Sequence, residues 1–426
     1  MDFSLLSLLT HLSLLEAALL VLAGALAVYF VASRRLYMLV FLLALSAALV
    51  GTTLPVVDNI ASLCRWLAIL LLLLAGILAS RVKISAGFLC FWGYVAIGIL
   101  FLFWARNLSW QLQRGVLLMM VALALPLAYS AANFQALKTA LTAVAAAAAI
   151  YAVLNFISLP GSLDQAARYT GLFSRAPTFV IALGGLLPFA LWGAWQAESR
   201  LVRIACGLGV LLGIITLVFS GQRAGTLAGL VSLLPFILIF PQRKTLVWFA
   251  LLLVLLSLLT FVLLQQTSAD KLSFLLSRYS LNAGLSYRDL IWTDALSEIA
   301  KNPFLGRGIG ASETVLSYSF HNAYLEVWYN TGLLGLLLFL AAQVYFFYRI
   351  FYLSRVVKDP RIRPFLALTL GYMLGFVVVC LFESTGAGAS NLNLILYLLL
   401  GVFLTNQQLA EPARAKLEAP RLAYTS

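Results

Sequence analysis

Apolar runs close to twenty residues long recur along almost the whole chain, separated by short polar breaks. A helix needs about 17–25 such residues to cross a bilayer. The pattern predicts spans over 13–32, 36–54, 60–79, 86–105, 114–130, 137–157, 177–196, 203–219, 224–240, 244–264, 322–348, 364–382 and 388–405. That makes about thirteen helices, or about twelve if one of the N-terminal pair is partial or interfacial. A closed barrel would show short alternating strands, and these runs are continuous. The predicted class is an all-α polytopic membrane protein.

One polar interval is much longer than the rest. It divides the chain into N-terminal membrane helices (1–264), a long loop (265–321), C-terminal helices (322–405) and a polar tail (406–426). Within the loop, residues 286–301 have the period of an amphipathic helix. Ile291, Trp292, Ala295 and Ile299 form one face; Asp294, Ser297, Glu298 and Lys301 form the other. Pro303 stops it, because the residue before a proline is biased out of helical geometry. Arg288 falls on the apolar face, where a cation needs an anion beside it. Asp289 projects about a quarter-turn away, which leaves a substrate phosphate as a candidate. Gly306-Arg-Gly-Ile-Gly310 follows and reads as a tight turn, since it lacks the context of a nucleotide fingerprint or a P-loop. The alanine run 145–149 predicts a close-packing helix face.

Composition agrees with the pattern. The chain is 63% hydrophobic and 10% charged, with a mean hydropathy of +1.01; a soluble domain needs more polar surface. The first apolar run is expected to be retained, because Ser33-Arg34-Arg35 follows it rather than a small-residue cleavage site. Cys64, Cys90, Cys206 and Cys380 all lie in apolar runs and read as core residues. The net charge of +13 suits cytoplasmic loops rather than nucleic acid. Basic clusters at Arg34/Arg35, Arg81/Lys83, Arg200/Arg203, Arg243/Lys244, 349–363 and Arg414/Lys416 fall on alternate connections, which places that side and the C-terminus in the cytoplasm. The long loop and the shorter one at 158–176 then lie outside. Many arginines also fall on that outer side, Arg175, Arg223 and Arg288 among them. Arginine is the side chain suited to bidentate phosphate recognition.

Candidate chemistry centres on His321, one of two histidines, placed where the loop gives way to an apolar helix. An unperturbed imidazole titrates near pH ~6.5 and suits general-base work. The alternative is a capping or structural histidine. Asn322 and Glu326 are close enough in sequence to orient the ring. Arg223, in Ser220-Gly-Gln-Arg-Ala-Gly225, is either a snorkelling interface residue or a phosphate clamp at a helix N-terminus. Arg175 carries the same two readings. Glu16 and Glu383 lie within or at the end of spans, and intramembrane acids are functional candidates. No D-x-D, H-E-x-x-H or G-x-S-x-G pattern occurs, so neither a metal nor a cofactor is expected.

These elements have a familiar order. Gln222-Arg-Ala, Tyr287-Arg-Asp-Leu-Ile-Trp-x-Asp-Ala-Leu, Asn302-Pro-Phe-Leu-Gly-x-Gly, His321-Asn-Ala-Tyr-Leu-Glu and Thr331-Gly-Leu-Leu-Gly resemble the O-antigen ligase/polymerase family of bacterial envelope proteins, most specifically between Ser220 and Gly335. The resemblance implies an inner-membrane glycosyltransferase, similar to the C-type membrane enzymes. Such an enzyme takes a glycan from undecaprenyl diphosphate on the periplasmic face, with inversion and without metal. It implies lipid A–core as acceptor for a ligase, or a second lipid-linked glycan for a polymerase. By position it implies His321 as base and Arg288 and Arg223 on the diphosphate. Arg175 would join them in the shorter-loop motif, although Ser-Arg-Ala-Pro stands here where relatives carry Asn-Pro-Asn. Tyr287, Asn322 and Glu326 would support the site. A protein O-oligosaccharyltransferase and a lipid-linked glycan transporter are the rival readings; the transporter predicts midplane charges and a repeat of spans, and none is visible in the sequence.

Overall fold

The computed structural model describes residues 35–78, 84–129, 133–158, 169–173, 176–239, 287–316, 318–357, 362–384 and 391–405, with a few isolated positions before 35. The predicted spans 13–32 (but for a few positions) and 244–264, the candidates Glu16 and Arg175, the first half of the long loop and the tail lie outside the described residues. The described helices are α1 (Leu36–Leu49), α2 (Pro55–Leu78), α3 (Ala86–Leu100), α4 (Leu108–Tyr129), α5 (Phe134–Ile157), α6 (Ala176–Gln196), α7 (Arg200–Phe219), α8 (Arg223–Ile239), α9 (Arg288–Ala300), α10 (Ala323–Val356), α11 (Arg363–Phe382) and α12 (Leu392–Thr405). Eight of them are long and apolar enough to cross a membrane, and α1, α8 and α12 are shorter apolar helices. The fold is that of an all-α polytopic membrane protein. Among the described residues no strand is formed, and Thr52 and Phe173 pair as an isolated antiparallel bridge.

Helix boundaries depart from the apolar runs where backbone geometry, not hydropathy, decides. The run at 36–54 stops as a helix at Leu49, because Val50 is extended and Gly51 is left-handed (φ 88°). α4 and α5 begin several residues before the apolar windows at 114 and 137: the first turn of a helix tolerates the polar residues Ser109, Gln111 and Gln135. Asn133 caps α5 by accepting from the Ala136 amide. α10 runs eight residues beyond the predicted end at 348 and contains a break at Gly332 (φ 68°, ψ −178°).

The middle of the bundle is formed by α6 and α12. α12 is buried from Leu392 to Leu404, and α6 is buried on nearly every face; a helix apolar all round belongs in such a place. α6 contacts α5, α7, α8, α11 and α12. Small residues let these helices close up. Gly193 and Gly209 face Ala145 and Ala149 of α5, which gives the alanine run its packing role. Cys64, Cys206 and Cys380 are buried free thiols, and Cys90 is half-buried.

The tightest approach joins α8 to α11, where a Cβ on Gly371 would collide with the backbone carbonyl of Ser232. Gly371→Ala should therefore lower the thermal midpoint of the purified protein by the equivalent of about 1–3 kcal/mol of overpacking. Gly207, which faces open space on α7, supplies the control: Gly207→Ala should leave the midpoint unchanged or raise it slightly, since alanine favours the helix. Equal midpoints for both variants would contradict the close α8–α11 contact.

Short connections keep the chain ends aligned. Only residues 220–222 separate α7 from α8, so these helices run antiparallel. Thr53 donates its amide to Leu172, and the Tyr169 amide donates to Phe219. These bonds tie the short loop to the ends of α2 and α7. The same end of the bundle carries α9 and the start of α10.

Candidate active site

Glu383 organises this end of the molecule. It follows α11 directly, extended (φ −148°, ψ 148°) and buried. A carboxylate in such a place is costly unless donors surround it. Three do. Arg288 Nη2 lies 2.7 Å from Oε1, Gln222 Nε2 donates to the same oxygen at 3.1 Å, and His321 Nδ1 lies 3.0 Å from Oε2. Hydrogen bonds to a charged group contribute roughly 1.5–3 kcal/mol each. The cluster joins residues from the α7–α8 junction, the loop helix, the start of α10 and the end of α11.

Each donor is positioned by its own element. Gln222 opens α8, where its Oε1 accepts from the Gly225 amide and so caps the helix while Nε2 reaches Glu383. Arg288 begins α9, and its side chain is 16% exposed. α9 spans 288–300 rather than 286–301, and its buried face is the predicted one: Ala295 and Ile299 are fully covered, Ile291 and Trp292 partly. Trp292 Nε1 donates to the Phe320 carbonyl at 3.0 Å, and Tyr318 donates to Asp294, so α9 is fastened to the residues just before His321. Burial, with the Asp294 carboxylate beside it, pushes the Tyr318 phenol up to about 12, which keeps it a neutral donor.

His321 occupies the left-handed region (φ 49°), as does Tyr287 (φ 62°). Such positions cost a non-glycine residue about 1–3 kcal/mol and concentrate at functional sites. The turn at 321 is over-determined. The His321 amide donates to Ser319 Oγ, Ser319 Oγ donates to Ser384 Oγ at 2.8 Å, and Asn322 caps α10 by accepting from the amides of Tyr324 and Leu325. Asn322 Nδ2 also donates to the Leu381 carbonyl at 3.1 Å. The imidazole is 45% exposed. A carboxylate at Nδ1 favours the neutral tautomer with its proton there, which leaves the Nε2 lone pair for general-base work.

The sequence-derived candidates separate into groups. His321 and Arg288 come together, but through Glu383, so the anion beside Arg288 is a protein carboxylate. The ring partner is Glu383; Asn322 serves as a helix cap, and Glu326 lies one turn into α10, facing the bundle. Arg223 is the first residue of α8, adjacent to Gln222 and partly exposed. Tyr287 is an exposed N-cap position whose side chain makes no hydrogen bond among the described residues. Arg175 lies outside the described residues. Gln222 carried no separate signal in the sequence beyond its place beside Arg223. Glu383 has in the sequence only the signal of an acid at the end of a span.

A cavity of about 380 Å³ opens beside the cluster, with Glu383, Ser384 and Ser319 in its wall. It continues into the bundle past the ends of α1 and α6 to Arg65, Arg114, Glu313 and Glu326. Arg114 pairs with Glu313 at 3.3 Å and covers the Trp110 ring. Behind α9, residues 303–308 dock on the break in α10. A Cβ on Gly332 would strike the Phe304 carbonyl, the Gly308 amide donates to Asn330, and Leu333 donates to Pro303. Gly308 and Gly310 take positive φ (92° and 78°), so 306–310 is a turn fitted to that break.

Two comparisons bear on this geometry. Residues 208–340 match the protein family described as O-antigen ligase. The chain is similar to an O-antigen ligase of Pseudomonas aeruginosa, 30% identical over 161 residues. That stretch makes up 36% of this chain and 36% of the relative, so the match spans about a third of the relative's length. The family stretch contains Gln222, Arg223, Arg288 and His321; Glu383 lies beyond it.

Proposed function

We propose, from the match of residues 208–340 to the O-antigen ligase family, that the protein transfers a glycan from undecaprenyl diphosphate to a sugar hydroxyl of lipid A–core. The end of the bundle bearing α9 faces the periplasm in this reading, and the C-terminus is cytoplasmic. The observation that carries it is the imidazole of His321, held at Nδ1 by the buried carboxylate of Glu383 while the side chain stays 45% exposed.

His321 Nε2 takes the proton of the acceptor hydroxyl as its oxygen attacks the anomeric carbon. The new C–O bond forms on the face opposite the diphosphate, the bond to the phosphate oxygen breaks, and undecaprenyl diphosphate leaves with the electron pair. The outcome is inversion. The donor is already activated, so the protein's task is positioning and charge stabilisation. Arg288 has donors beyond the one it gives Glu383, and these face the diphosphate. Arg223 supports the same charge from the first turn of α8, as a guanidinium suited to phosphate. Glu383 orients the ring and stabilises the imidazolium formed as the proton moves, as a buried acid does beside a catalytic histidine.

The test is the lipopolysaccharide gel profile of a strain lacking the chain, with lipid-linked glycans extracted in parallel. The expected result is loss of the long ladder while long polymer remains on the carrier. Lipid A–core carrying a single repeat unit would instead assign the protein to polymerisation, and the acceptor half of the proposal would fall.

A further inference from the structure

Four large, mostly apolar side chains stand in the open at the end of the bundle that bears α9. Phe103 (85% exposed) and Trp104 (64%) belong to a 3-10 turn, Phe101–Trp104, that continues α3. Phe304 (68%) and Leu305 (48%) belong to the segment that docks on the break in α10. Exposed apolar groups gathered in this way mark a surface that meets something apolar.

The two groups lie at one level. The 15 residues of α3 and the four of the turn reach about 30 Å at ~1.5 and ~2.0 Å per residue, the thickness of a hydrocarbon core. Trp104 therefore stands where acyl chains give way to headgroups. Gly308 joins the second group to the first: a Cβ there would lie 3.1 Å from Leu102 and 3.4 Å from the Phe101 carbonyl. On the other side the Leu333 amide donates to Pro303, and the exposed Leu334 and Leu337 follow at the start of the spanning part of α10.

The backbone of 303–308 is paired inward. The Pro303 carbonyl accepts from Trp328 Nε1 at 2.8 Å as well as from Leu333, and the amides of Arg307 and Gly308 donate to the carbonyls of Tyr329 and Asn330. Lipid offers no donors or acceptors, so a segment against it must satisfy its backbone within the protein. This one does so while Phe304 and Leu305 stay uncovered. Cations complete the edge. Arg307 lies over the Tyr329 ring at 4.3 Å, and the exposed Arg106 is within electrostatic reach of the same phenol. Aromatic rings and guanidinium groups at one level are the composition of a membrane–water interface. A sugar would need hydrogen-bonding side chains among the rings, whereas Phe103, Phe304 and Leu305 carry no polar side-chain atom.

We infer that the edge formed by 303–305 and the 3-10 turn rests in the lipid surface, with Phe304 and Leu305 inserted at the boundary of the acyl chains. The second half of the long loop is then docked on the bilayer as well as on the bundle. Arg307 Nη2 donates to the Glu298 carbonyl at 3.1 Å, so α9 is tied to the inserted segment and held at a set height above the lipid. This contact is independent of the transferase reading above.

The test uses full-length protein in nanodiscs of phosphatidylethanolamine and phosphatidylglycerol, with a bimane label on Phe103→Cys, Phe304→Cys or Ser297→Cys. Ser297 is the control, exposed on the side of α9 opposite its buried face. Each variant also carries Cys90→Ala, because the other three thiols are buried. A nitroxide on the fifth acyl carbon of added lipid should quench most of the emission at 103 and 304 and little at 297. Aqueous iodide should do the reverse. Iodide quenching of the 304 label equal to that of the 297 label would place the edge in water, open to a glycan or another hydrophilic partner, and would overturn the inference. A 304 label shielded from both quenchers would overturn it too, since the edge would then be covered by protein, such as a second copy of the chain.

Discussion

Protein carrying His321→Ala should insert and fold as the wild type does and transfer no detectable glycan. The expected loss in kcat is about 10²–10⁴-fold, the usual contribution of a positioned general base. Folding should survive because the ring is half exposed and contributes one hydrogen bond to the cluster, while the turn around it is held by Ser319, Asn322 and the helix cap. Alanine also accepts the left-handed backbone there at a cost of about 1–2 kcal/mol. The check is transfer from purified lipid-linked donor to lipid A–core, beside membrane yield and detergent stability. Activity within threefold of wild type would remove His321 from the reaction.

The second large effect belongs to Glu383. Glu383→Gln preserves volume but withdraws the negative charge from Arg288, Gln222 and His321 together. Two consequences follow. Arg288 becomes a mostly buried cation without its partner, which costs about 3–5 kcal/mol when one half of a buried pair is removed. The imidazole also loses the group that fixes its tautomer, and the comparable change in a serine-protease triad lowers kcat by about 10⁴. The two effects can be separated. In the double variant Arg288→Met/Glu383→Gln the stranded charge is gone, so stability should recover substantially while transfer stays absent. If Glu383→Gln alone lost stability but retained wild-type kcat, the carboxylate would be a structural anchor only.

Local pattern in the sequence reaches a good part of this arrangement. The apolar runs locate the spanning helices, and the loop helix is placed to within two residues with its buried face correct, because period 3.6 is a property of adjacent residues. His321 stands out by rarity and by its place between a polar and an apolar segment. What the pattern does not contain is the link among distant elements. Arg288 and Glu383 are separated by 95 positions and Gln222 and Glu383 by 161, and neither pairing has a local signature. Sequence alone offers a ligand phosphate as the anion beside Arg288, and the fold adds Glu383 there. For the imidazole the nearest polar residues in sequence are Asn322 and Glu326. Helical geometry instead turns Asn322 into a cap and Glu326 toward the cavity. The break at Gly332 was equally silent, since a glycine in an apolar run looks the same whether it packs or bends.

That break has a mechanical consequence. The residues of α10 after Gly332, 333–356, span about 36 Å at 1.5 Å per residue, enough to cross a hydrocarbon core of about 30 Å without help. The turns before it, from Ala323 to Thr331, are tied to residues 303–308 by backbone bonds and belong mechanically to the loop. Thickness mismatch and helix tilt, the ordinary responses of a spanning helix to a change of lipid, are thus absorbed at a glycine joint. The turn that carries His321 is thereby separated from the tilt of the helix that follows it.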